Sequence, residues 1–248
     1  MKKTKLLVLA SSTKHLGRCI AGREWLGGTA DHPQLGEWIR PQGEETQGAI
    51  LHPKFRLYRD VGGSRITRYG RPVEPGDLVE IDLEDQDSED SQGSQDFQCE
   101  NRKMKSGSWI NLVRQIHLTE PLLEQMEEDP AGLWLPSRAT GIKSDRVPVT
   151  QLSEHSTPRQ SLFCIQPENL QFHGLDDEVR AKFRFENQDY CLKITVPDFN
   201  PGEFDQSDLA NCRLVISLGT PFRPEGADED YHFKLVAAVL CPSIVMTG

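Results

Sequence analysis

Apolar residues along this chain occur in short runs separated by Gly, Pro, Asn and Asp. Short runs bounded by turn-forming residues are typical of β-strands rather than of long helices. In the first half of the chain they predict five strands, at residues 5–11, 19–25, 37–40, 78–83 and 109–116. The sequence Pro75-Gly76-Asp77 predicts the turn that leads into the fourth of these strands.

The second half of the chain predicts five more short strands, at residues 161–166, 179–186, 190–196, 213–218 and 231–240. Within it, the stretch AKFRFENQDYCLKITV predicts a β-hairpin. Phe183 and Phe185 alternate there with basic residues, and a turn is expected at residues 187–189. Five short antiparallel strands within about 90 residues are typical of a small barrel such as the OB-fold.

A helix and a linker separate these two groups of strands. Residues 120–129 predict the helix, with Thr119 as its N-cap and Pro121 in its first turn. No helical pattern alternates with the strands, which argues against a doubly wound α/β sheet. The sequence therefore predicts an all-β protein of two OB-like small antiparallel barrels with a short connecting helix. The first barrel is expected at residues 1–118, the helix and a Pro-rich linker at 119–160, and the second barrel at 161–248.

The net charge of −10 conceals an uneven distribution along the chain. Residues 1–73 carry 13 Lys and Arg against 6 Asp and Glu, a net charge of +7, and residues 74–100 carry 11 acids and no base. Residues 101–159 have a net charge of +1, and residues 160–248 have −7. A basic N-terminal third indicates a surface for a polyanion. The alternative is that the acidic segment simply neutralises its basic neighbour.

Several classes of protein are disfavoured by the remaining composition. No apolar run approaches the roughly 18 residues that a membrane-spanning helix needs. The N-terminal sequence MKKTKLLVLA resembles a signal peptide, but its apolar core is short and meets Ser-Ser-Thr-Lys-His, so we expect a cytoplasmic protein. The six cysteines have no zinc-type spacing, and four of them lie in or beside apolar strand-like runs and are most simply small buried hydrophobes. The sequence predicts no cofactor and no metal site.

The stretch LASSTKHLGRCIAGRE, residues 9–24, places hydroxyl, basic and imidazole side chains at the end of the first predicted strand. OB-folds hold single strands by combining a basic groove with aromatic faces on which bases stack. The first half of the chain supplies both residue types, so nucleic-acid binding is the leading hypothesis. The candidate binding residues are Lys14, His15, Arg18, Arg23, Trp38, Arg40, Lys54, Arg56, Tyr58, Arg65, Arg68 and Arg71. The alternative is that Trp38 and Tyr58 belong to the core and that the arginines only solvate the surface.

Two other functions are open for residues 9–24. The hydroxyls and the lysine of residues 11–14 could cradle the phosphate of a nucleotide, although the residue order of a P-loop is absent. Cys19 with His15 resembles a nucleophile and its base, but no third group orients them. We therefore expect no enzyme, and a small-molecule or nucleotide-sensing domain without catalysis is the alternative function. The acidic second half suits a protein partner or a structural role better than nucleic acid.

A low-complexity acidic tract, EDQDSEDSQGSQD, occupies residues 84–96. It has no apolar residue to bury, and we expect a mobile loop. Because it follows the basic third of the chain so closely, we hypothesise that it occupies the basic surface when nucleic acid is absent.

Several stretches of the sequence resemble a known family. They are LVLASSTKHLGRCIAG, GEWIRP, PGDLVEI, ENRKMKSGSW, LVISLGTPF and HFKLVAAVL, and in this order and spacing they resemble the prokaryotic dual OB-containing domain family over residues 5–241. The resemblance implies two OB-folds in one unit, binding of single-stranded or structured nucleic acid, and a place in a prokaryotic antiviral defence or conflict system. The acidic tract at 84–96 departs from the family pattern.

Overall fold

The computed structural model describes residues 3–14, 17–30, 32–43, 49–50, 59–61, 64–66, 71–84, 98–134, 145–155, 160–175 and 178–242. Within these ranges β-strands predominate, and the helices are short. The chain divides into two units: unit 1 comprises residues 1–94 and 100–122, and unit 2 comprises residues 95–99 and 123–248. None of the described helices is long and apolar enough to cross a membrane.

Unit 1 is built on one main sheet. Its described strands are β1 (Thr4–Lys14), β2 (Gly17–Gly28), β3 (Pro33–Gln42), β4 (Arg59–Val61), β5 (Ser64–Ile66), β6 (Asp77–Ile81), β7 (Asn101–Lys103) and β8 (Asn111–Gln115). Six of them form the sheet in the order β7-β3-β2-β1-β6-β8, in which only the β3–β7 pair is parallel. Strands β4 and β5 pair with each other, and helix α1 (Glu120–Glu124) follows β8.

The interior of unit 1 comes from residues of its central strands that point to one face of the sheet. Val8 of β1, Ile20 of β2 and Ile39 of β3 are buried together in this core. Burying an aliphatic side chain of this size contributes roughly 1.5–3 kcal/mol relative to leaving it exposed. A Cβ at Gly22 would collide with the carbonyl oxygen of Leu7, so glycine is what lets β2 lie this close to β1.

Unit 2 is also built on one curved sheet. Its described elements are β9 (Arg146–Pro148), α2 (Val149–His155), β10 (Leu162–Ile165), β11 (Glu168–Leu175), β12 (Glu178–Phe185), β13 (Gln188–Ile194), α3 (Gln206–Ala210), β14 (Arg213–Leu218) and β15 (Tyr231–Leu240), with a 3-10 turn at Pro201–Glu203. The strand order is β10-β14-β15-β13-β12-β11, the β13–β15 pair is parallel, and β9 pairs with β15.

Chain connectivity shows how strongly the sheet of unit 2 curls. Strands β10 and β11 lie at opposite ends of the order, yet only Gln166 and Pro167 separate them in sequence. A flat sheet of six strands would hold its edges roughly 24 Å apart. The step from residue 165 to residue 168 spans at most about 10 Å. The sheet therefore curls so that its two edge strands, β10 and β11, come close together where Gln166 and Pro167 connect them.

The two units share one pattern of strand pairing. In each unit three successive antiparallel strands form a meander, and the third strand pairs in parallel with a later strand. In unit 1 the backbone N–H of Met104 donates to the carbonyl of Gln42 at 2.9 Å, and Met104 also forms an isolated bridge with Leu83.

The prediction of an all-β fold with two OB-like units is confirmed. Among the described residues, however, no continuous ladder closes either sheet into a barrel.

The predicted hairpin of unit 2 is present as β12 and β13. Phe185 pairs with Gln188, so the turn consists of Glu186 and Asn187, one residue earlier than expected. Both turn residues have positive φ, at 48° and 61°, which matches the twist that two-residue hairpins require. Phe183 and Phe185 point into the core of unit 2, as their alternation predicted.

All ten predicted strands have counterparts, and β14 and β15 have the predicted bounds. Strand β11 was not predicted, because its sequence, ENLQFHGL, is mostly polar, and of its described side chains only Leu170 and Phe172 pack against the core. The predicted helix at 120–129 is α-helical only to Glu124 and continues as a turn in which the N–H of Met126 donates to Leu123. Residues 145–155, which were expected within a linker, form β9 and α2.

A disulfide joins Cys212 and Cys241 at one end of the β14–β15 pair. Arg213 pairs with Leu240 in this ladder, so the two cysteines lie directly opposite each other. The sequence predicted small buried cysteines, and Cys164 fits that prediction, whereas this pair forms a covalent cross-link. The link between neighbouring strands depends on register, which residue spacing alone does not reveal.

Candidate nucleic-acid interface

Three predicted residues lie on one face of unit 1, opposite the core. Gly22 pairs with Ile39 on the core side, so the next pair, Arg23 with Trp38, lies on the other side of the sheet. Arg40 is on this side too, because side chains alternate along a strand. We call this side of the sheet the outer face of β2, β3 and β7.

Strand β7 extends the outer face with further polar residues. In the parallel pair of β3 and β7, Arg40 is in register with Asn101, and Gln42 is in register with Lys103. Nη1 of Arg40 lies 3.5 Å from Oδ1 of Asn101. Lys103 is exposed, so its ammonium group extends from the face into solvent.

Arg23 and Trp38 form a stacked pair on this face. The Cζ atom of Arg23 lies 5.8 Å from the centre of the Trp38 ring, and its Nε donates to the carbonyl of Gly36 at 2.8 Å. Trp38 is 5% exposed and Arg40 is 8% exposed, whereas Arg23 is half-buried. Trp38 therefore supports Arg23 from beneath and does not offer an open ring to a base in this conformation.

Arg18 lies at the start of β2, at one end of the same strands. The backbone N–H of Arg18 donates to Ile50 at 3.1 Å, and the N–H of Ile50 donates back at 2.7 Å. Gly17 and Gly43 both lie close against residues 49–50, as the contacts of an added Cβ indicate. Arg18 is half-buried, and its backbone is thus held by two neighbouring chain segments.

Arg71 has a different environment from the other candidate residues. Its Nη1 and Nη2 atoms donate to the two carboxylate oxygens of Asp77 at 2.9 Å and 2.6 Å, and Nη1 also donates to Glu74. Asp77 is fully buried and accepts the backbone N–H of Glu74 as well. The hydrogen bond to Asp77 raises the pKa of Arg71 above its ordinary value. This geometry favours a structural role, because the fork of Arg71 already holds a carboxylate.

The remaining candidates lie outside the described residues in whole or in part. Nothing is described for His15, Lys54, Arg56, Tyr58 and Arg68, and these stay predictions. For two further candidates only the backbone is described: Lys14 ends β1 opposite Gly17, and Arg65 lies in β5.

A family model described as the dual OB-containing domain matches residues 4–239. The chain belongs to the dual OB-containing domain family. A search of curated proteins finds no match. Among solved structures, a murine DNA binding protein bound with double-stranded DNA aligns over 97% of this chain and 99% of its own, with 9% identity and a TM-score of 0.28. A likeness at this identity and TM-score supports no argument about function.

Sequence reasoning missed several basic residues of this dual OB protein. Lys103 was not selected because it lies far from β3 in the sequence and reaches it only through the parallel β3–β7 pair. Arg114 is exposed on β8, and its Cζ atom lies 5.4 Å from the centre of the Trp25 ring. The motif ENRKMKSGSW could have indicated Lys103, because its basic residues directly follow the acidic segment, which contains no Lys or Arg.

The structure of the dual OB protein gives little support to phosphate binding or to catalysis by residues 9–24. Ser12 and Thr13 lie within β1 and pair with Cys19 and Arg18, so they belong to a ladder and not to a loop around a phosphate. Cys19 lies within β2, and His15, the base considered for it, lies outside the described residues. Among the described residues no group of three or more His, Cys, Asp or Glu side chains could hold a metal ion.

Proposed function

We propose that unit 1 binds nucleic acid through the outer face of β2, β3 and β7, without catalysis. The observation that supports the proposal is the position of Arg23, Arg40 and Trp38 on the side of the sheet opposite the core, with Lys103 exposed beside them. Cations on three neighbouring strands suit a polymer with repeated phosphates better than a single small anion.

Arg23 and Lys103 are the two basic side chains with a direct task in this proposal, because Arg40 is buried. The Arg23 guanidinium lies with one face towards the Trp38 ring, and its Nε donates to the carbonyl of Gly36. A planar guanidinium pairs with phosphate in a bidentate way and also stacks on bases. Lys103 supplies a compact positive charge at the margin of the face, where a phosphate is accessible to it.

Binding of a labelled single strand, a duplex and mononucleotides across a salt series tests this function. We expect the single strand to bind, with log K falling by several units per unit of log salt concentration, because several phosphates displace counterions. The variant Lys103→Ala is expected to reduce that slope by roughly one and weaken binding a few-fold. Lys5→Ala is the matched control, since Lys5 is an exposed lysine of β1 that lies 3.9 Å from Glu80. Absence of binding to any polymer would contradict the proposal.

A second candidate function, binding of a small molecule, is supported by a cleft in unit 2. Its volume is about 430 Å³, and it lies between the start of β11 and helix α3. Its polar lining includes Glu168, Asn169, Gln171 and Gln206, with Leu170 and Leu209 as apolar walls. Amide and carboxylate groups of this kind recognise the edges of heterocyclic bases. Saturable binding of a mononucleotide without binding of polymers would favour this candidate.

The wider setting of the proposal comes from the family resemblance alone. It comprises a role in a prokaryotic defence or conflict system. A protein partner that binds unit 2 belongs to the same setting. The cytoplasmic location expected from the sequence is a separate proposal.

A further inference from the structure

Phe222 is the most exposed large apolar side chain among the described residues, with 61% of its surface accessible. It lies on the connection between β14 and β15, where its backbone N–H and C=O both bond to Tyr231, at 2.9 Å and 3.0 Å. The two hydrogen bonds fix the position of the Phe222 backbone. The exposed ring is therefore an ordered feature of the surface, although no core covers it.

Two further rings lie on the same side of this part of unit 2. Phe222 and Tyr231 are directly opposite each other, and Phe233 follows Tyr231 by two residues, so the three side chains share one face. The ring centres of Phe222 and Phe233 are 6.3 Å apart. We call Phe222, Tyr231 and Phe233 the aromatic ladder.

Strand β9 adds a cation to the aromatic ladder. Arg146 is in register with Phe233, and its Cζ atom lies 5.4 Å from the centre of the Phe233 ring. The combination of ring faces with a stacked guanidinium is the chemistry that holds unpaired bases in proteins that bind single strands.

Two acidic residues near the aromatic ladder have polar partners. Nε of Arg223 donates to Asp230 at 2.8 Å, and the hydroxyl of Thr150 donates to Glu229 at 2.9 Å. These acids partly neutralise the local cations and keep phosphates at a distance. Contact with a nucleic acid at this surface therefore has to come from the bases and not from the backbone.

The size of the aromatic ladder also argues against a protein partner. Phe222 is well exposed, but Tyr231 and Phe233 are half-buried, so the three rings offer roughly 250 Å² of apolar surface. A stable protein interface needs about 800 Å² on each partner. Two or three stacked bases need no more than the rings provide.

We infer that the aromatic ladder is a base-stacking site for single-stranded nucleic acid in unit 2. The inference rests on the proposed function and goes beyond it, because it assigns base contacts to the acidic half of the chain, which the charge distribution had suggested for a protein partner or a structural role. It also predicts that this contact depends on bases and hardly on salt.

The test compares a labelled single strand with an abasic strand of the same length, which keeps the phosphates and lacks the bases. Phe222→Ala is expected to weaken binding of the ordinary strand about five- to tenfold, within the range for loss of one stacked base. Binding of the abasic strand and the salt slope should not change. Val113→Ala is the matched control, because Val113 is an exposed apolar residue of β8, outside the proposed interface, with 39% of its surface accessible.

Each outcome of this comparison is informative. If wild-type protein binds the strand and Phe222→Ala binds both strands as wild type does, the aromatic ladder is not a stacking site and the proposed function stands. Equal losses on both strands would also overturn the inference, because they would show a general effect on the protein. If wild-type protein binds neither strand, both proposals fail. If Phe222→Ala changes self-association in sedimentation and not strand binding, the surface is a protein contact.

Discussion

Arg23 and Arg71 carry the same side chain in the basic N-terminal third, but their partners differ. Arg71 forms a two-point ion pair with fully buried Asp77. Arg23 stacks on Trp38 and uses one nitrogen for the carbonyl of Gly36. A sequence pattern of arginines and aromatic residues does not separate these cases, because the deciding partner of Arg71 is six residues away on the next strand.

Lys234 is a second residue whose environment determines its chemistry. Its side chain lies in the interior of unit 2, with Nζ 5.4 Å from the centre of the Tyr190 ring. Its backbone N–H donates to the carbonyl of Asp145 at 2.8 Å. Burial lowers the pKa of Lys234 from 10.5 to about 8, and the nearby Asp145 acts in the opposite direction. The folded protein therefore releases this proton at a lower pH than the unfolded chain does.

This shift in pKa predicts a stability change with pH. Between about pH 8 and pH 10.5 the unfolded chain holds the Lys234 proton and the folded protein has lost it. The free energy of unfolding should therefore rise with pH in this window, by on the order of 2–3 kcal/mol. The buried Tyr190, whose pKa burial raises, opposes this effect only near and above its ordinary value of 10.

Urea denaturation of wild-type protein and Lys234→Met at several values of pH measures this effect. The difference in unfolding free energy between the two proteins should change by the stated amount from pH 8 to pH 10, in favour of the wild type. Parallel pH profiles for the two proteins would contradict a lowered pKa at Lys234.

At the scale of elements, the strands that alternate cleanly could be predicted and the irregular ones could not. The β12–β13 hairpin follows from Phe183 and Phe185, and both rings enter the core. Strand β11 has a mostly polar sequence and exists because it completes the curled sheet beside β12. Pairing across long sequence distances, as between β3 and β7, decides which side chains meet and is invisible to local patterns.

The residues of the candidate site also divide into those that local sequence patterns predict and those that they do not. Trp38 and Arg40 are two residues apart, so their common face could be predicted from strand periodicity. Arg23 joins them through the register of β2 with β3, and Lys103 joins through β7. Neither register can be read from the spacing of residues, which explains why Lys103 was missed while Arg23 was selected only for its charge.

At the scale of the whole molecule, charge is separated along the chain. The acidic tract at 84–96 lies almost entirely outside the described residues. At its start, the backbone N–H of Glu84 donates to the carbonyl of Lys103 at 2.9 Å, next to the proposed interface. After its end, the carbonyl of Glu100 accepts the backbone N–H of Arg40 at 2.8 Å. The described residues at its start and after its end, Glu84 and Glu100, are thus bonded through the backbone to Lys103 and Arg40 of the outer face.

We predict that deletion of residues 84–96 tightens binding of a single strand, because a competing negative charge is removed. A second variant of full length, with the acids of the tract replaced by their amides, separates the effect of charge from that of chain length. Both variants should bind more tightly than wild type in low salt and converge with it as salt screens the charges. Unchanged affinity of both variants in low salt would contradict the hypothesis.

The most direct test of the proposed interface is photo-crosslinking of a bound single strand that carries a photoreactive base, followed by mass spectrometry of the crosslinked peptides. We predict crosslinks within Gly17–Gly28, Pro33–Gln42 and Asn101–Lys103, the strands that form the outer face. Crosslinks confined to unit 2, from a strand that binds with measurable affinity, would contradict the assignment of nucleic-acid binding to unit 1.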